Sequence, residues 1–295
     1  MNAPIKATGK LELDEELAEK LAACLDAIRQ MRRVVVAFSA GVDSTLLLAL
    51  AVEALGPADV LAAVGVSASL PTAERQAARE IAKHLGAELV EVTTEELDDP
   101  RYAANPAERC YFCKQNLFGR LGKLAKARGF ETILSGANAD DTGDFRPGMR
   151  AGKELGVRSP LMEAGLTKAD IRQLSRQMNL PTWDKPAMAC LASRVPYGQA
   201  ITAERLGRIE QAELALRTLG FRQVRVRDHD RVARIEVPTD DLPRLLELRV
   251  QVAWAMKQAG YAYATMDLLG FRSGSGNEVL TTQQTRAESD QEPGR

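Results

Sequence analysis

The chain has 295 residues, 45% hydrophobic and 27% charged, and a formal net charge of −1 at pH 7. That length allows about two domains, and the charge balance excludes a global attraction for nucleic acid or an anionic membrane. Four cysteines in so long a chain are not a disulfide framework, and two histidines, His84 and His229, exclude a histidine-rich metal site.

No apolar run approaches the ~20 residues that span a bilayer. The N-terminus, MNAPIKATGKLELDEE, lacks the apolar core of a signal peptide, so a cytoplasmic protein is expected. Residues 1–11 read as a disordered N-terminus. Leu13, Leu17, Leu21, Cys24, Leu25 and Ile28 then recur on one helical face, which predicts a helix over 11–31 with Cys24 as a small core residue.

The run VVVAF (34–38) predicts a buried strand, and an apolar helix follows from Thr45. Between them lies the small polar turn Ser39-Ala40-Gly41-Val42-Asp43-Ser44. The first N–H groups of a helix have no backbone partner, and its dipole adds partial positive charge there, so such a turn binds anions. The turn resembles the PP-loop of ATP pyrophosphatases, S-G-G-x-D-S, with Ala40 as a small-for-small exchange for the first glycine. It is neither G-x-x-x-x-G-K-[ST] nor G-x-G-x-x-G. The bland reading is a serine-capped helix after a buried strand.

Strand and helix now alternate: a strand over 60–66, a helix over 71–85, a strand over 89–92, a helix ending over 119–128 and a strand over 131–134. This rhythm predicts an α/β fold, a parallel sheet with helices on both faces. Ligands of such sheets bind beyond the carboxyl ends of the strands, where Ser39, Ser67 and Ser135 all fall.

Residues 100–116, PRYAANPAERCYFCKQN, break the rhythm. Cys110 and Cys113 form C-x-x-C between Arg109 and Lys114, a spacing that suits a metal, a cluster, a redox disulfide or two packed helix cysteines; cations beside a thiol favour thiolate. The next loop holds Gly136, Asn138, Asp140, Asp141 and Asp144, carboxylates that could hold Mg²⁺ on nucleotide phosphates or form a solvated acidic turn. A helix is expected over 167–179. The stretch PTWDKPAMACLASRVPYG (181–198) follows, with Cys190, Ser193 and Arg194 between prolines. Cys190, near Lys185 and Arg194, reads as an activated nucleophile or as a cysteine under a buried loop.

Residues 202–272 predict helix, two strands, a helix over 240–258 and a last strand over 262–269, a small α+β domain with an antiparallel element. Arg225 and Arg227 share one strand face and Arg272 follows the last strand; they form a phosphate or carboxylate clamp or line a solvated face. The domains are therefore 12–199 and 200–273, with a polar, disordered tail over 274–295.

Taken together, the loop, ERCYFCK, SGANADD, KPAMACLASRVPYG, VRVRDH, ARIEV and DLLGFRSGS resemble the LarE family over most of residues 12–277. That resemblance implies an ATP-dependent sulfur transferase that helps build the nickel-pincer nucleotide cofactor, working in a pathway with other enzymes. Its substrate would be a small nucleotide, pyridinium-3,5-biscarboxylate mononucleotide, with no nucleic acid or membrane partner, and the protein a homo-oligomer. Ser39, Gly41, Val42, Asp43, Ser44, Gly136, Asn138 and Asp141 would bind ATP, with Mg²⁺ on Asp43. Ser193, Arg194, Arg225, Arg227 and Arg272 would bind substrate, and Glu213 and Glu236 are associated with a metal or substrate site. Family members with three cysteines, matching Cys110, Cys113 and Cys190, hold a [4Fe-4S] cluster; members with one sacrifice it to dehydroalanine. All three are present, which favours the cluster. The rivals are a tRNA-thiolating or amidating PP-loop enzyme and a non-catalytic nucleotide- or zinc-binding scaffold; the net charge of −1 and the absence of zinc-ribbon cysteine pairs argue against tRNA.

Overall fold

The computed structural model describes residues 11–143, 147–186, 188–272 and 274–277. Residues 1–10, Asp144 and residues 278–295, on which three of the expectations above fall, lie outside them. The chain forms two compact units. One comprises the chain up to Tyr102 and Glu108–Met188; the other comprises Ala103–Ala107 and the chain from Ala189 onward.

The first unit is built on β1 (Val34–Ala37), β2 (Val60–Val66), β3 (Glu88–Thr93) and β4 (Thr132–Leu134). All pair in parallel, in the order β3-β2-β1-β4. Alternation sends successive β1 side chains to opposite faces. Val34 and Val36 enter a core with α1 (Glu15–Arg29), α2 (Val42–Leu55), α3 (Thr72–His84), α7 (Pro160–Glu163) and α8 (Lys168–Gln177). Val35 packs instead with Phe118, Leu121 and Ala125 of α5 (Arg109–Arg128). Both faces are covered, which is why the strands read as continuous apolar runs. Short helices α4 (Pro100–Ala103) and α6 (Pro147–Glu154) complete the unit. Cys24 is fully buried in the first core, and burial pushes its thiol up to about 12.

Two element starts differ from the sequence reading. Helix α2 begins at Val42, inside the polar turn, with Gly41 as its N-cap. Helix α5 begins at Arg109, so C-x-x-C, within the stretch that breaks the strand–helix rhythm, is its first turn.

The second unit holds α9 (Ala203–Thr218), β5 (Arg225–His229), β6 (Val232–Glu236), α10 (Leu242–Glu247), α11 (Arg249–Gln258) and β7 (Tyr263–Met266). β5 and β6 are antiparallel and β6 and β7 parallel, in the order β5-β6-β7. The single helix expected over 240–258 is two, divided at Leu248. The unit begins at Ala189, ahead of the expected division after Gln199. Backbone bonds explain this: Gly198 N–H donates to Asn105 at 3.0 Å and Ile201 N–H to Ala103 at 2.8 Å. Ser275–Asn277, inside the tail expected from residue 274, form a 3₁₀ turn with Ser275 buried. Among the described residues no helix is long and apolar enough to cross a membrane.

Candidate functional site

The polar turn of the first unit is preformed. Ser44 Oγ lies 3.1 Å from Ser39 Oγ, accepts from Ser39 N–H at 3.3 Å and donates to the Gly41 carbonyl at 3.2 Å. Gly41 caps α2 without a side-chain acceptor, which leaves the N–H groups of the first turn for an anion. Gly136 is needed for close approach: a Cβ there would stand 3.0 Å from Ser44 N and 3.2 Å from the Asp43 carbonyl carbon. Ala40 fits by size, being fully buried, but its φ of 55° is left-handed, a conformation costing a non-glycine residue about 1 kcal/mol.

Two lysines unremarked at the loop in the sequence reading hold it. Lys168 Nζ donates to Asp43 Oδ2 at 2.5 Å, while Asn138 Nδ2 donates to Asp43 Oδ1 at 3.2 Å. Lys185 Nζ donates to the Ala40 carbonyl at 3.0 Å and to Glu74 Oε2 at 2.7 Å. Lys168 is the first residue of α8, and nothing in its local sequence points to Asp43; Lys185 reads from the sequence only as a cation near Cys190.

The carboxylates after β4 divide by role. Asp141 accepts from Asn138 N–H at 3.0 Å and Asp140 from Lys168 N–H at 2.8 Å. Both shape the loop. Asp43, whose side chain is 23% exposed, would take a cation only by exchanging its bonds from Lys168 and Asn138. A single carboxylate fits Mg²⁺, which keeps waters and takes its other oxygens from phosphates.

In the same unit Cys110 is exposed and Cys113 half-buried, one helical turn apart at the start of α5. Tyr111, between them, donates to Glu154 at 2.6 Å and carries the Arg150 guanidinium 4.3 Å above its ring. Two thiols at this spacing suit a cluster. Among the described residues, however, no group of three or more His, Cys, Asp or Glu side chains could hold a metal.

The second unit carries Cys190, exposed, at the N-cap of a 3₁₀ turn, Leu191–Arg194. Arg194 holds that turn: one terminal nitrogen donates to the carbonyls of Ala189 and Cys190 at 2.8 and 3.1 Å, and to Ser193 Oγ at 3.0 Å. Its other nitrogens bind Glu213 at 2.7 and 3.1 Å. Glu213 also accepts from Arg217 at 2.9 Å and Val226 N–H at 3.1 Å. Arg227 binds Glu236 with two bonds of 2.9 Å, Ser193 O at 2.8 Å and Ser275 Oγ at 2.8 Å. Arg234 also donates to Glu236, at 3.2 Å.

This arrangement does not fit a cation on Glu213 and Glu236, since both fully buried carboxylates already face guanidinium groups. It fits an anion. Arg225 is buried with its guanidinium 4.4 Å over the Phe271 ring, and among the described residues it has no carboxylate hydrogen-bonded to it. Burial, then repulsion from Arg194 and Arg227, brings its pKa down to about 10. Arg272 donates to the Gly270 carbonyl at 3.3 Å and lies 3.6 Å from Asp267. The solvated-strand reading of Arg225 and Arg227 is therefore excluded.

The asparagine synthase family profile matches residues 12–143. Three relatives extend the similarity. An uncharacterized protein of Synechocystis sp. is 43% identical over 254 residues, 85% of this chain and 94% of that protein. The pyridinium-3,5-bisthiocarboxylic acid mononucleotide synthase of Lactiplantibacillus plantarum is 38% identical over 268 residues, 91% of this chain and 97% of the synthase. An uncharacterized protein of Methanocaldococcus jannaschii is 31% identical over 169 residues, 57% of this chain and 66% of that protein.

Proposed function

The chain belongs to the LarE family and is an ATP-dependent sulfur-transferring enzyme, and from that premise we propose that it converts the carboxylates of pyridinium-3,5-biscarboxylate mononucleotide into thiocarboxylates. A carboxylate is a poor electrophile because its charge repels a nucleophile. Attack of the substrate carboxylate on the α-phosphate of ATP forms an acyl adenylate and expels pyrophosphate. A sulfur nucleophile then attacks the acyl carbon and AMP leaves.

The chain's own residues divide this work. Ser39, Gly41, Val42, Ser44 and the first N–H groups of α2 would hold the pyrophosphate as it departs. Asp43 would bind Mg²⁺, which neutralises charge on the phosphates. Gly136, Asn138 and Asp141 keep the neighbouring loop close to that helix end. In the second unit Arg225 would take the substrate's phosphate, Arg227 and Ser193 would shape the pocket wall, and Arg194 would fix the backbone carrying Cys190. The observation that carries this reading is Arg225, a buried guanidinium that among the described residues has no carboxylate hydrogen-bonded to it, on the unit that also carries Cys190.

Cys110, Cys113 and Cys190 would hold a [4Fe-4S] cluster. When bound, that cluster would supply sulfide on an iron that three protein thiolates leave open. A second reading has its own support, the exposure of Cys190. There the Cys190 thiolate attacks the acyl adenylate and AMP leaves. Loss of the Cys190 α-proton then expels the thiocarboxylate and leaves dehydroalanine.

Anaerobic reconstitution with iron and sulfide analysis, followed by intact mass after turnover, separates the two. Iron that binds the wild type and is lost from Cys110→Ala, Cys113→Ala and Cys190→Ala supports the cluster. An iron-free protein that loses the mass of hydrogen sulfide per turnover contradicts it. The homo-oligomer and the supply of product to other nickel-pincer enzymes belong to the same reading.

A further inference from the structure

We propose that Lys168 is an exchangeable counter-ion for Asp43: it holds the carboxylate until a divalent cation arrives with phosphate, and then passes to the phosphate. The proposal rests on the reading of Asp43 as a Mg²⁺ ligand and goes beyond it, because it makes metal and nucleotide bind together rather than separately.

Among the described residues, Asn138 and Lys168 bond the Asp43 side chain, and the two differ in kind. Asn138 is neutral, buried and anchored: its Oδ1 accepts from Asp140 N–H at 3.0 Å while its Nδ2 donates to Asp43 at 3.2 Å. Lys168 brings a full charge to Asp43 Oδ2 at 2.5 Å, on a side chain 34% exposed. Its main chain is fixed. Thr167 and Asp170 form a capping box at the start of α8, and Lys168 N–H donates to Asp140 Oδ2 at 2.8 Å. Rotation about the torsions of its flexible four-carbon stem therefore moves the ammonium without moving either loop. Lys185 is placed differently, since its ammonium is already divided between the Ala40 carbonyl and Glu74.

The charges decide when the exchange happens. Asp43 lies in the first turn of α2, where the helix dipole favours an anion, and Lys168 adds a full positive charge beside it. A divalent cation arriving alone must displace a cation already in place, and the displaced ammonium stays nearby as a like charge. ATP changes the balance, because its phosphates give the ammonium an anion with which to form charge-assisted hydrogen bonds. The metal then binds well only with phosphate, and by reciprocity it raises the affinity for phosphate by the same factor. A carboxylate without such a partner would take the metal alone.

Two binding measurements on the full chain test this, with no carboxylate substrate present. One follows Mn²⁺ alone, which takes the same oxygen ligands as Mg²⁺, by the electron paramagnetic resonance of the unbound ion. The other follows Mg·ATP by calorimetry. Lys168→Met should bind Mn²⁺ about tenfold more tightly than the wild type and Mg·ATP about tenfold more weakly. Lys168→Arg, which keeps the charge, should stay close to the wild type in both. An unchanged Mn²⁺ affinity in Lys168→Met, or a change of both affinities in the same direction, overturns the exchange; the second is what a merely structural lysine would give. Asp43→Asn separates this proposal from the reading beneath it. Mn²⁺ binding lost in Asp43→Asn but unchanged in Lys168→Met overturns the exchange alone, whereas Mn²⁺ binding indifferent to Asp43→Asn overturns both. Should Lys168→Met fail to fold, Lys168→Gln keeps a donor without the charge and carries the same two expected signs.

Discussion

Arg194 and Glu213 meet in a bidentate ion pair at 2.7 and 3.1 Å, with side chains 1% and 0% exposed. Two charges withdrawn from water are tolerated only when each meets the other and hydrogen bonds satisfy what remains. Arg194 meets that condition by also binding the carbonyls of Ala189 and Cys190. The pair thus fastens the cysteine-bearing turn to α9. Glu213→Gln leaves buried guanidinium groups short of a carboxylate and should cost about 3–5 kcal/mol of stability. The double variant Arg194→Met with Glu213→Leu should cost less than the sum of its singles, as urea unfolding of all three would show.

Arg225 has the opposite balance: a charge is buried and, among the described residues, no carboxylate is hydrogen-bonded to it. Arg225→Met should stabilise the unliganded protein by ~1–3 kcal/mol while weakening substrate binding about 10- to 100-fold. Thermal unfolding and calorimetric titration read the two effects. Its depressed pKa of about 10 sets the pH direction. The guanidinium is charged below that value, so substrate affinity should hold at neutral pH and fall as pH rises through about 10.

The loop predicts two effects of opposite sign. Gly136→Ala places a Cβ 3.0 Å from Ser44 N, against the end of α2 where phosphate should sit. It should raise the KM for ATP at least about tenfold, a cost of 1.4 kcal/mol. Ala40→Gly removes a left-handed alanine and should add up to about 1 kcal/mol of stability with the KM little changed.

His229 offers a test in acid. Burial, then the Arg234 charge, lowers its pKa in the folded state. The unfolded chain therefore binds more protons near the ordinary histidine value, and stability is lost as pH falls through and below ~6.5. His229→Gln should flatten that part of the stability curve, measured by urea unfolding at a series of pH values.

Much of the first unit could be read from the chain, because apolar runs and small turn residues are local signals. Val34–Ala37 and Val60–Val66 are strands for that reason. The start of α5 at Arg109 carries no local signal, because its N-cap residue, Glu108, makes no side-chain capping bond. The second unit's charges were less legible. Alternation placed Arg225 and Arg227 on one face, but only three-dimensional packing separates Arg227, bound to Glu236, from Arg225, which has no bonded carboxylate. Lys168 and Lys185 reach Asp43 and Ala40 across 125 and 145 residues, separations that no local pattern reveals.

The most direct test is mass spectrometry of pyridinium-3,5-biscarboxylate mononucleotide after anaerobic incubation with the reconstituted protein, ATP and Mg²⁺. The substrate should gain the mass of one oxygen-for-sulfur replacement at each carboxylate converted, with one AMP and one pyrophosphate released per replacement. Release of AMP and pyrophosphate that depends on the substrate, but leaves it with amide nitrogen or without sulfur, would contradict sulfur transfer to that carboxylate.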